Sequence, residues 1–178
     1  MPAGLPPIGA EIPCSSLAVN TPLRIKDVPV TVDFRGGIKY RVDVNPNDPV
    51  NSVRMRIVGH KMTAQLQGED GTSEGTITFE QNDIDVDPKT ILRLTQQFPP
   101  RYEFREVTSF TMTIEQPGSE TMVLTTKEPM VCLGDLTQFP PRGDLFRLEK
   151  PVELVDAEAD PDKVLAVIEK LPIKVGGL

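Results

Sequence analysis

The chain has 178 residues, a net charge of −7 and no basic cluster longer than the run Arg54-Met55-Arg56. That balance offers no phosphate-neutralising face, so neither nucleic acid nor an anionic membrane surface is an expected partner. Its two cysteines, Cys14 and Cys132, are too few for a disulfide framework or a four-ligand zinc site, and whether they bridge each other is open.

Residues 1–22 carry five prolines and no hydrophobic periodicity, which predicts an extended arm ahead of a single β domain over 23–178. The start has neither a basic n-region nor a continuous apolar run, and no stretch is long enough to span a membrane as a helix. A cytoplasmic location is the expectation.

The first strong signal is "VPVTVDFRGGIKYRVDV". Val28, Val30, Val32 and Phe34 alternate with polar residues, and so do Ile38, Tyr40, Val42 and Val44. A period of two marks strands with one buried face. A three-residue loop, Arg35-Gly36-Gly37, would fold the stretch into a hairpin with every apolar side chain on one face. After the turn-forming "NPNDPVNS", Val53, Met55 and Ile57 alternate in one phase, and Met62, Ala64 and Leu66 in the other. The flip predicts a bulge at 58–60. "TITFE" reads as a further strand.

"DPKTILRLTQQFPP" predicts a short helix over 88–97, capped by Asp87, with Ile91, Leu94 and Phe98 at helical spacing and two prolines as the stop. "EVTSFTMTIE" returns to strand, and Pro117-Gly118 turns it back onto Met122 and Leu124. Residues 129–142 read as irregular or briefly helical. "LFRLEKPVELV" and "KVLAVIEKLPIKV" read as closing strands, and 163–171 fits a helix as well.

The chain writes one phrase twice, "LTQQFPPR" at 94–101 and "LTQFPPR" at 136–142, each after a T-x-T-Φ-E-Q strand. The shared order across 76–101 and 111–142 points to an internal repeat or to two equivalent corners of one β structure. The fold predicted is all-β: an antiparallel barrel or sandwich of about 8–10 strands with one short helix.

Chemistry is sparse. The one histidine, His60, has the pKa of a general acid or base, and Tyr40 brings a phenol to the buried face; these are the catalytic candidates. Phe98, Arg101, Phe139 and Arg142, from the repeated phrases, would suit a carboxylate-bearing ligand if the two corners meet. Asp83, Asp85 and Asp87 lack the glycine turn and distant glutamate of a calcium loop and read as a solvated strand edge. Glu80 and Glu115 alternate away from the core. No phosphate loop, nucleophile elbow, metal spacing or dinucleotide fingerprint occurs, so no cofactor and no metal are expected. Three readings follow. The first is a non-catalytic domain binding an apolar small molecule or a protein partner. The second is a cofactor-free cyclase or isomerase that shapes a flexible substrate inside a β cavity. The third is an assembly protein whose corners make homo-oligomer contacts.

Overall fold

The computed structural model describes residues 4–67, 73–82 and 89–177. Three long strands come first: β1 (Glu11–Ile25), β2 (Val28–Val44) and β3 (Ser52–Gln67). Shorter ones follow: β4 (Ser73–Gln81), β5 (Ile91–Gln96), β6 (Arg101–Thr108), β7 (Phe110–Glu115) and β8 (Met122–Thr126). The last are β9 (Met130–Leu136), β10 (Arg142–Leu148), β11 (Val152–Asp156), β12 (Asp160–Ile168) and β13 (Ile173–Gly177). Every pairing is antiparallel, and no helix occurs among the described residues.

The sheet closes on itself twice. The first half of β1 pairs with β13 and its second half with β12. The first half of β3 pairs with β5 and its second half with β4. Each of these outer strands leads through its own series of neighbours, so two eight-stranded rings share β1, β2 and β3 as a common wall. We call them the upper ring (with β4, β7, β8, β11 and β12) and the lower ring (with β5, β6, β9, β10 and β13). The chain alternates between them, hairpin by hairpin.

The level at which the rings part, the waist, is written into the long strands. Buried positions on β1 run Cys14, Ser16, Ala18 and then Thr21, Leu23, with a register shift between Ala18 and Thr21. On β3 they run Val53, Met55, Ile57 and then His60, Met62, with the predicted bulge at Val58. Bulges bend strands, and here they let one wall curve into two rings. β2 crosses the waist at Gly36-Gly37, where a Cβ on Gly36 would stand 1.9 Å from the Lys61 carbonyl oxygen. Only glycine permits that approach.

Several expectations are corrected. The Gly36-Gly37 hairpin does not form: all the apolar residues of 28–44 are even-numbered, which fits one unbroken strand as well as two. Residues 11–22 are not an arm; Cys14, Ser16 and Ala18 are buried in the wall. Residues 4–10 do extend past the strand, at the far end of the lower ring, with Leu5 in the core and the Gly4 carbonyl accepting a 2.5 Å hydrogen bond from the Tyr102 hydroxyl. The helix over 88–97 is replaced by β5, where Leu92 and Leu94 are buried and Arg93 is exposed; pairing with β3 and β6 overrides the helical spacing. Residues 130–136 and 160–168 are strands too. Strands number thirteen among the described residues because the unpatterned segments also pair. Asp83, Asp85 and Asp87 lie outside the described residues.

Candidate functional site

The lower ring holds the most unusual chemistry. β6 turns Tyr102, Phe104, Glu106 and Thr108 inward, so strand alternation alone delivers a carboxyl group to an apolar interior. Glu106 is 3% exposed, and its carboxylate accepts a short hydrogen bond from the hydroxyl of Tyr40, which is fully buried on β2. β2 and β6 are not neighbours, so this bond crosses the inside of the ring. Around it pack Phe104, 5.4 Å from the Tyr40 ring, and Phe146, 5.5 Å from Phe104. Both cysteines belong here as well, buried and unbridged.

Burial dominates the electrostatics. Glu106 is pushed up to about 7 by desolvation, against a smaller downward pull from the Tyr40 hydrogen bond. Tyr40 is raised well above its ordinary range by burial and by the facing carboxylate. Cys14 is pushed up to about 11 and Cys132 well above its usual value, both by burial first and Glu106 second, so neither is a reactive thiolate at neutral pH. No group of three metal-ligating side chains occurs among the described residues.

The sequence candidates are spread over the molecule. Tyr40 is in the lower ring. His60 stands at the waist, 4% exposed, its ring edge-on to Phe79 at 5.5 Å within the upper ring. Desolvation lowers its pKa to about 4, and its Nδ1 has no hydrogen-bond partner. Tyr40 is thus bonded to Glu106, and His60 packs elsewhere. The two repeated phrases form neighbouring hairpin tips at the far end of the lower ring, since Tyr102 pairs with Leu136. Both carry a cis Phe–Pro bond, Phe98-Pro99 and Phe139-Pro140. Their phenylalanines differ: Phe139 packs on Phe104 at 5.8 Å, whereas Phe98 is 90% exposed. Arg101 and Arg142 are exposed beside them.

Glu106 escaped the sequence reading, although its signal is simple. It occupies an inward parity position between Phe104 and Thr108 in a strand that reads clearly once Tyr102 is included.

A second concavity lies between β2 and β3, where Val30 and Val32 line it. Beyond the Arg35–Thr63 pair, β2 and β3 cease to pair, and a cleft of about 600 Å³ opens there, bordered by Asn20, Thr31, Asp33, Arg35, Thr63 and Gln65.

No protein-family model matches the chain, and no curated protein matches it. Among solved structures, the chain is similar to DynF from the dynemicin biosynthesis pathway of Micromonospora chersina, with a TM-score of 0.70 and 18% identity over 98% of this chain and 86% of that one. At that identity the likeness concerns the fold.

Proposed function

We propose that this protein binds an apolar small molecule inside the lower ring, without catalysing a reaction on it. The observation that carries the reading is the Tyr40–Glu106 pair. A buried carboxyl with no cationic partner among the described residues costs stability, and a chain free to discard it would place a leucine there. Retaining it makes sense where an interior must orient a guest with one polar group among aromatic walls. The shared fold with a protein of the dynemicin biosynthesis pathway supports a small-molecule role.

The test is titration with Nile red, a neutral apolar fluorophore. Saturable emission is expected, with affinity falling as pH rises through about 7 and Glu106 ionises beside the probe. Glu106→Gln should flatten that pH dependence, and Arg35→Ala in the β2–β3 cleft should leave it intact. No saturable binding, or binding abolished by Arg35→Ala and indifferent to Glu106→Gln, overturns the reading.

A second reading, a cofactor-free cyclase or isomerase, is favoured by one property of the same residue. A carboxyl titrating near neutrality can take and return a proton at physiological pH. Under that reading Tyr40 holds the carboxyl in place, and Glu106→Gln abolishes turnover while substrate affinity survives.

A further inference from the structure

Above the waist, β2 turns one edge of its backbone toward the β2–β3 cleft, and the neighbouring strands fix which residues do so. The Pro22 carbonyl on β1 accepts a 3.2 Å hydrogen bond from the Glu169 N–H, just past β12, so Pro22 turns its backbone away from β2. Thr31 is its partner across the β1–β2 ladder. In an antiparallel pair both residues turn their groups toward each other or both turn them away, so the N–H and C=O of Thr31 point toward β3. The far half of β2 has the same phase. There the Val42 N–H and C=O bond to Ala10 and Gly9 on the β1 side, so even residues face β1 and odd residues face β3. Neither ladder skips a residue on β2. Pro29, Thr31 and Asp33, all exposed, therefore turn their carbonyls to the β3 side, and Thr31 and Asp33 their N–H groups as well. They lie past Arg35, the last residue of β2 to pair with β3, and no main-chain partner meets them among the described residues.

We propose that this edge of β2 is a docking site for a short extended segment of another protein, which adds a strand in the cleft by main-chain pairing. The site lies apart from the lower ring and does not rest on the binding reading above. A row of open main-chain groups is met by another extended backbone. The edge is recessed in a cleft, so a single slim strand reaches it, whereas the edge of a second copy, equally recessed, does not. The lining has two sides: Val30 and Val32 belong to the inward phase of β2, and Thr31, Asp33 and Arg35 to the outward one. That selects a segment with valine-like residues at alternate positions and polar residues between them. The net charge of −7 disfavours an acidic segment. Pro29 has no N–H to give and ends the ladder, so the added strand is short.

The experiment titrates the full chain with a fluorescein-labelled, amidated peptide, KTVTVTK, and follows anisotropy together with the Thr31 and Asp33 amides by NMR hydrogen exchange. Saturable binding is expected, with exchange slowed at both amides. The same peptide N-methylated at its internal amides keeps its side chains and should lose binding. Thr31→Pro removes one of the two donors without touching the β1 ladder and should weaken binding roughly tenfold. Pro29→Val adds a third donor and should tighten binding roughly three- to tenfold, a gain that tests the site even if Thr31→Pro fails to fold. The inference is overturned by the absence of saturable binding, by binding that ignores N-methylation, or by a Pro29→Val variant no tighter than wild type. A dimer formed without peptide and lost in Thr31→Pro would give the edge to a second copy and overturn it too.

Discussion

The two rings share a wall and divide their chemistry. Inside the upper ring, Phe79 is the hub: Phe34 lies 5.1 Å from it, Phe110 4.7 Å and His60 5.5 Å, with Met62 and Met112 filling between. Its one titratable side chain at the waist is held neutral. Inside the lower ring the aromatic cluster of Phe104, Phe146 and Phe139 surrounds a hydrogen-bonded acid and phenol. The difference teaches that ring closure alone sets no function. Both interiors bury a titratable group at an energetic penalty, but only the lower one pairs it with a second side chain, Glu106 with Tyr40.

The largest effect expected from breaking this comparison is in the upper ring. Phe79→Ala should destabilise the protein by about 3–5 kcal/mol through lost burial and the cavity left among three rings. Chemical denaturation would measure it; a loss below about 1 kcal/mol would mean that the hub collapses without cost.

Next come the two buried titrating groups, whose signs oppose. Folded Glu106 keeps its proton to about pH 7 against an ordinary value of 4.5, so the native state binds more protons between those values and stability falls as pH rises. Folded His60 titrates at about 4 against 6.5, so the unfolded state binds more protons in that window and stability rises with pH. Each is worth on the order of 3 kcal/mol. In the wild-type protein the two slopes largely cancel between about pH 4.5 and 6.5. Glu106→Gln should be more stable than wild type above pH 7 and lose that advantage near pH 4.5. His60→Phe should expose the falling slope of Glu106. Unfolding free energies across pH 4–8 decide this, and parallel wild-type and Glu106→Gln curves would refute the assignment.

The smallest effect sharpens the comparison within the lower ring. The twin phrases place Phe139 on the aromatic cluster and Phe98 in solvent. Phe139→Ala should cost about 1–2 kcal/mol and Phe98→Ala less than about 0.5. Equal melting temperatures for the two variants would show the corners to be equivalent after all.

The legibility of this fold in its sequence varies by element. The bulge on β3 was readable because a phase flip between Ile57 and Met62 has few other causes. β2 was misread at Gly36-Gly37, since glycine pairs signal turns more often than close strand crossings, although the unbroken even-number parity carried the correct answer. β1 was missed because Pro13, Ser15 and Ser16 dilute its alternation; pairing on both edges stabilises it instead. β5 was mistaken for a helix from Ile91 and Leu94, and its partner β3 lies some 40 residues upstream, beyond any local window. In the site, Tyr40 was visible by parity. Its bond to Glu106 was not, because the contact joins strands 66 residues apart that meet only when the ring closes.

The weaving of the chain between rings carries one last consequence. The lower ring draws on pieces from Glu11 through Gly177, and the upper ring's pieces are interleaved among them. No single cut therefore separates the two rings, because a fragment long enough to hold one of them, such as residues 11–168 for the upper ring, also carries strands of the other. Loss of β1, which closes both rings, should open both chambers together, whereas loss of β13 should open the lower ring alone. The high sequence separation of the closing contacts should make refolding slow for a protein of this length.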